Sequence, residues 1–583
     1  MACTENPSSE QLADFIYPYY SFSYDQIQEQ ENLCYDFASS RYVIIHRPLS
    51  EVTPLSVSKE GYNAIPNLYA PLDSTSIESA GIRKTFEQPR LNNKGRGTII
   101  GIIDTGIDYR LPAFRNPDGT TRILGIWDQT VEGEGLTSSF SFDDLHYGTV
   151  YTEEQINEAL RQENPLSLLP IDDSVRHGTL MAAIAAGSET ANARAGISTA
   201  RNGTPAAGGS ASSPPGAAPE ASLAIVRLKP AKQYLRDFYL LPEGADAFQE
   251  DDIMLGIKYL LYVARLRHMP LVILLGLGTN SGGHDGSSPL ALFLNELSST
   301  SGQIIVAAGG NETGLGHHYL GNIPPEDAYE DVELRVSPGE RGFVMELWAR
   351  DVSLYSVGFF SPAGEEIARI PLTFMEDRTF RFLLDETVIQ VTYSRAESPT
   401  GSELIFMRFE TPAAGIWRIR VFNSLPVQSS YHIWLPVDGF ISENTYFLRP
   451  NPDTTITDPG NTASIITAAA YNHRNGSIYH HSSRGYSRTG FIKPDLAAPG
   501  VEIEGPENQT LTGTSAAAAH IAGASAILLS WAITQGSLSF INTPIVKAIL
   551  IRGADRRPSF DYPNREWGYG TLNLYNAFLA MRE

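Results

Sequence analysis

Uncharged aliphatic runs set the first rhythm of the chain. Thr98-Ile99-Ile100-Gly101-Ile102-Ile103 holds no charge and stops at Asp104, the pattern of a strand buried on both faces. Residues 221–228, interrupted only by Arg227, and the uncharged 271–277 and 303–308 read as three more buried strands, with helical periodicity in the intervals. Strands alternating with helices predict a mostly parallel sheet covered by helices on both faces. Small residues dominate 179–187, which predicts a helix able to lie close against that sheet, and the almost wholly apolar stretch 516–529 predicts a buried one.

After Asn311 the rhythm changes. From about residue 331 to 435 the helical period disappears, and alternating runs such as Gly342-Phe343-Val344-Met345-Glu346-Leu347-Trp348 and Trp417-Arg418-Ile419-Arg420-Val421-Phe422 are separated by turn residues. This predicts a β-sandwich of jelly-roll type inserted into the α/β unit, whose pattern resumes at residues 464–470. The first seventy residues mix aromatic and acidic side chains, with 41–47 the clearest strand, and read as a small α+β module. The predicted divisions are therefore 1–69, 70–325, 326–450 and 451–583. Residues 188–215, rich in Ala, Gly, Ser and Pro, predict a polar surface loop.

Composition narrows the partners. A chain of 583 residues is long enough for several folded units. Its 66 acidic against 43 basic residues leave a formal charge of -23 with no basic cluster, which disfavours nucleic acid and anionic membranes. Both cysteines, Cys3 and Cys34, stand near the start, so the rest of the chain holds no disulfide and nothing points to an oxidising compartment. The first thirty residues lack the basic and apolar regions of a secretory signal, and no eighteen-residue apolar run occurs. The expectation is a cytoplasmic protein.

Three short stretches carry candidate chemistry: Asp104-Thr105-Gly106, His177-Gly178-Thr179 and Gly513-Thr514-Ser515. Singly they are ordinary, for an aspartate can serve a turn, a histidine can be structural and a serine can cap a helix. Together they supply a nucleophile, a base to take its proton and a carboxylate to hold that base in the right tautomer. Ser515 opens the apolar helix, where free amides and the helix dipole favour developing negative charge.

With Asp, His and Ser in this chain order, the stretches Ile102-Ile103-Asp104-Thr105-Gly106-Ile107-Asp108, His177-Gly178-Thr179-Leu180-Met181-Ala182 and Gly513-Thr514-Ser515-Ala516-Ala517 resemble those of the subtilisin-like serine peptidases (subtilases). The resemblance covers about residues 70–320 and 455–583 and implies a subtilisin-like α/β fold. It implies Asp104 as orienting acid, His177 as general base and then acid, and Ser515 as nucleophile through an acyl-enzyme. Ala307-Ala308-Gly309-Gly310-Asn311 resembles the stretch whose asparagine donates to the oxyanion, so Asn311 takes that role. Leu274-Leu275-Gly276-Leu277-Gly278 resembles the edge that pairs with extended substrate, making Gly276, Leu277 and Gly278 substrate-binding positions. Gly276 and Gly309 replace the family's commoner serine and alanine, and no preferred cleavage residue follows. No metal or cofactor is assigned, since the acidic calcium ligand of some subtilases is missing around Leu111-Pro112-Ala113-Phe114, and Asp172-Asp173 reads as a solvated turn.

The amino-terminal module resembles a subtilase prodomain, which places self-cleavage near Asn67-Leu68-Tyr69-Ala70-Pro71, with Tyr69–Ala70 as the expected bond. The absence of a secretory signal, a prodomain of this size, the inserted sandwich and Gly278-Thr279-Asn280-Ser281-Gly282-Gly283-His284-Asp285-Gly286 resemble the Csp germination proteases of anaerobic spore formers. That resemblance implies a cytoplasmic or spore-associated, self-processing endopeptidase. Its protein substrate would be a cortex-degrading hydrolase, activated by removal of a propeptide, and its own prodomain would stay bound. The alternatives are a catalytically silent regulatory relative and a general intracellular peptidase.

Overall fold

Apolar runs become the centre of the molecule. The computed structural model describes residues 6–582 apart from 20–32, 72–78, 89–90, 138–143, 189–214, 325–326, 351–352, 373–375, 398–399 and 426–427. The loop expected at 188–215 thus falls almost wholly outside the described residues.

In chain order, the amino-terminal strands are β1 (Leu12–Pro18), β2 (Cys34–Phe37), β3 (Tyr42–Pro48) and β4 (Leu68–Pro71). They are followed by β5 (Ile99–Asp104), β6 (Ile123–Asp128), β7 (Thr149–Thr152), β8 (Ser222–Arg227), β9 (Phe248–Gln249), β10 (Leu271–Leu275), β11 (Leu277–Gly278) and β12 (Gln303–Ala308). After the insertion come β24 (Ile466–Tyr471) and β25 (Leu496–Pro499). The described strands of the main sheet run in the order β25-β24-β12-β10-β5-β8-β6-β7, with only the β6–β7 edge antiparallel. Ile99, Ile100, Ile102 and Ile103 are each fully buried because β5 lies between two strands and beneath helices on both faces.

Helices α1 (His177–Ala186), α2 (Glu250–Arg267), α3 (Pro289–Leu297), α4 (Thr514–Leu529), α5 (Thr543–Gly553) and α6 (Leu574–Ala580) supply those faces. One apolar layer joins α1, α4, α5 and α6 to the sheet, and a second joins α2 and α3 to the other face. Every residue of α4 is buried, so its apolar character serves the core of the sheet.

The alternating region forms a sandwich. Its strands run from β13 (His318–Ile323) to β23 (Tyr446–Phe447) in antiparallel sheets of six and five described strands that share one core. The insertion starts earlier than the alternation suggests because His318–Ile323 pairs with Ser429–Trp434, a contact distant in sequence. Residues 271–277, read as one strand, divide at Gly276: β10 stays in the main sheet, while β11 belongs to a small sheet.

The amino-terminal module contains a three-stranded sheet, β1-β3-β2, docked on the α/β unit through shared apolar clusters and a set of buried charges. Lys232, 1% exposed, donates to the carbonyl oxygens of Pro7 (2.7 Å) and Leu12 (3.0 Å) and pairs with Asp14 (2.7 Å). His46 bridges Asp14 (2.7 Å) and Asp36 (3.2 Å), and Asp36 also meets His146. Cys34, in β2, is disulfide-bonded.

Candidate active site

The carboxyl ends of parallel strands collect the polar residues, as open α/β sheets require. Asp104 is the last residue of β5, Gly276 follows β10, and Asn311 follows β12 by a short turn. Ser515 enters from the first turn of α4, and His177 from that of α1. His177 Nδ1 lies 2.7 Å from Asp104 Oδ1, and His177 Nε2 lies 3.2 Å from Ser515 Oγ. Asp104, His177 and Ser515 are all buried. This chain of contacts can take a proton from the serine hydroxyl and stabilise the imidazolium that results.

Two glycines permit the approach. A Cβ on Gly178 would stand 2.3 Å from the carbonyl oxygen of Gly106, so only glycine lets α1 lie against the turn after Asp104. A Cβ on Gly276 would stand 2.3 Å from Met181 Sδ and 3.0 Å from His177 Cε1. Gly276 therefore leaves room for the imidazole, and its carbonyl oxygen accepts from Ser515 Oγ at 3.1 Å.

Asp173 has a positioning part that the local sequence does not reveal. It is 4% exposed, not a solvated turn residue, whereas the Asp172 side chain is 58% exposed. The Asp173 carboxylate accepts from the Arg176 N–H (2.9 Å), the Thr179 N–H (2.9 Å), the Thr179 hydroxyl (2.7 Å) and the Thr105 hydroxyl (2.9 Å). It thereby satisfies free donors of the α1 amino terminus and ties that terminus to the residue after Asp104. The sequence offers a pair of carboxylates just ahead of the α1 start but no sign of which one faces it.

Asn311 is oriented by its own carbonyl. Asn311 Oδ1 accepts from the Thr514 N–H at 3.1 Å, which leaves the amide NH2 to donate elsewhere. The Gly310 N–H donates to Thr514 Oγ1 at 3.0 Å, fixing the same turn to the start of α4. A donor amide beside the amino terminus of a sixteen-residue helix can stabilise an oxyanion.

The expected substrate edge is occupied by the chain itself. Strand β4 lies between β11 and β9, with Ala70 opposite Gly278, Pro71 opposite Leu277, Tyr69 opposite Phe248 and Leu68 opposite Gln249. Glu250 holds the start of this strand: its carboxyl accepts from the Asn67 N–H (3.2 Å) and the Leu290 N–H (3.0 Å). Burial pushes the Glu250 carboxyl up to about 8, even though those two N–H groups favour its charged form.

The subtilase family (Peptidase S8) model matches residues 95–332 and 444–570, leaving out most of the sandwich. The Clostridium perfringens CspB protease aligns at 28% identity with a TM-score of 0.71, covering 87% of this chain and 98% of that one. MycP1 from Mycobacterium smegmatis aligns at 12% identity with a TM-score of 0.34, over 87% of this chain and 88% of its own, too weakly to carry an argument. The chain belongs to the subtilase family of serine peptidases, and in structure it resembles the CspB protease.

Proposed function

We propose that the chain is a self-processing serine endopeptidase. The observation that carries this reading is the contact series Asp104–His177–Ser515, at 2.7 and 3.2 Å, beside a strand already bound as an extended peptide would be. Ser515 Oγ attacks the scissile carbonyl while His177 takes its proton and later delivers it to the leaving amine. Asp104 holds the imidazole, and Asn311 with the α4 terminus stabilises the oxyanion. Water then hydrolyses the acyl-enzyme on the same base.

Residues 1–69 act in this reading as a prodomain that assists folding and stays docked through the Lys232–Asp14–His46 network. The sandwich rigidifies the enzyme or positions a protein substrate. In this reading the protein substrate is a hydrolase activated by propeptide removal, and likeness to the CspB protease supports the protease activity itself. The test compares intact masses of wild type and Ser515→Ala after expression. Loss of an amino-terminal segment in wild type alone supports the reading; loss in both shows that another protease does the cutting.

A further inference from the structure

At the end of the main sheet away from Ser515, four cations gather around one carboxylate. Lys94 and Arg96 precede β5, Arg115 and Arg122 precede β6, Glu220 precedes β8, and Ser188 follows the end of α1. Together they line a cavity of about 310 Å³. These positions are the amino ends of three parallel strands, whereas Asp104 and Gly276 stand at the carboxyl ends. The cavity is therefore separate from the catalytic groups.

Its charges do not balance. Arg96 Nε donates to Glu220 Oε2 at 2.9 Å, a surface pair that uses the one carboxylate among the described lining residues. Among the described residues, Lys94, Arg115 and Arg122 form no ion pair. Lys94 Nζ lies 5.6 Å from the centroid of the Phe86 ring, and Arg115 Nη2 donates to the Arg110 carbonyl oxygen at 2.6 Å.

Arg122 is the most constrained of the three. It is 7% exposed, and its Nη1 donates to the Ala221 carbonyl oxygen (2.5 Å). Its Nη2 donates to the carbonyl oxygens of Ala113 (2.8 Å) and Ala186, so one side chain joins the start of β8, the turn before β6 and the end of α1. Arg122 Nε and Arg115 Nε are buried atoms without a hydrogen-bond partner among the described residues. A guanidinium taken out of water without a counter-charge is costly, and the carbonyl at the negative end of α1 offsets only part of that cost. Burial pushes Arg122 down to about 10, which leaves it charged at neutral pH.

We propose that this cavity binds a phosphate group, either the free ion or the head of a small phosphate monoester. Its oxygens accept from Lys94 and Arg115, and its charge balances that of Arg122. Three cations without a carboxylate favour a dianion over a single carboxylate, and planar guanidinium donors match phosphate oxygens. A volume of about 310 Å³ is at the small end of ligand cavities and leaves space for a short organic group beyond the phosphate. The bound anion counters Arg122 where it ties down the end of α1, and α1 carries His177 at its other end. Occupancy thereby stabilises the helix that holds the catalytic base.

The test titrates inorganic phosphate, and separately glycerol 3-phosphate, into the folded full chain by isothermal calorimetry, with sodium chloride holding the ionic strength constant. Wild type is expected to show one saturable site with Kd below about 1 mM. Lys94→Gln and Arg115→Gln, both at partly exposed positions, are each expected to weaken that site at least about tenfold. Each variant is titrated at a temperature where circular dichroism shows it folded, so lost binding reports the cavity. Arg122→Met is not used, because it also removes the tie among three elements. Tighter binding of the ester than of the ion supports the site with a monoester as its ligand, and equal or weaker binding supports it with the free ion. Binding of both probes weaker than about 1 mM, or unchanged affinity in either variant, overturns the proposal.

Discussion

The surroundings of Ser515 and the seat of the amino-terminal module are both buried and both rest on apolar packing, yet only the second adds a buried ionic cluster. Beneath Ser515 lie apolar strands and the wholly buried α4, with charge confined to Asp104 and its neighbours at the strand ends. At that seat Lys232 of the α/β unit meets Asp14 of the module, which is joined through His46 to Asp36, four buried ionisable groups that stabilise the interface only while they remain paired. An apolar core holds the catalytic groups at fixed distances under any condition in which the chain folds. A buried ionic seat is selective and reversible, the property needed for a module that must bind in one register and respond to its surroundings.

Substitutions separate the two regions. Asp104→Asn should lower the processing rate by about 10⁴-fold with an unchanged melting temperature, because the imidazole loses its orienting carboxylate but the core does not change. A rate near wild type contradicts the assigned role. Lys232→Met should do the reverse: it leaves Asp14 buried without its ammonium partner, costs about 3–5 kcal/mol and frees the amino-terminal fragment on gel filtration, while the processed enzyme keeps reacting with a fluorophosphonate. A fragment that stays bound with full thermal stability would show that the seat is not ionic.

Asn311→Ala should slow turnover by about a hundred- to a thousandfold, the scale already known for such a donor in subtilisin, without unfolding the chain. Thermal melting beside the rate distinguishes loss of the donor from loss of the turn that Asn311 Oδ1 ties to Thr514.

The smallest effect comes from pH. Burial works against charge on His46, but Asp14 and Asp36 raise it to about 9. Burial likewise opposes charge on Asp14 and Asp36, yet Lys232 and His46 hold Asp14, and His146 and His46 hold Asp36, below the usual carboxylate range. His46 therefore contributes stability fully below its ordinary value of 6.5 and loses it as pH rises through about 9. The two aspartates contribute above their ordinary value of 3.8 and lose it in acid. Retention of the fragment should be strongest between about pH 4 and 6.5 and weaken by up to about 3 kcal/mol toward pH 9. Equal retention at pH 6 and pH 9 contradicts this.

What the sequence revealed follows the same division. β5, β12, α1 and α4 were legible because a long uncharged run that ends on a polar residue is stable only when its flanks are covered by other apolar elements. The triad was legible because Asp104, His177 and Ser515 carry local glycines that packing demands, as Gly178 shows against Gly106. Asp173 was not, since nothing in the pair Asp172-Asp173 says which carboxylate faces the α1 terminus. The partition of residues 271–277 at Gly276 and the early start of the sandwich at His318 depend on pairing with distant strands. Lys232 and Asp14 stand 218 residues apart, and no local pattern marks either as a buried partner of the other.

The central claim is that Ser515 is a serine activated through His177. Its most direct measurement is fluorophosphonate labelling of the folded full chain, with the modified peptide located by mass spectrometry. A single adduct on Ser515 that disappears in Ser515→Ala and falls steeply in His177→Ala is the predicted result. Absence of an adduct in folded wild type, or labelling unaffected by His177→Ala, would contradict it.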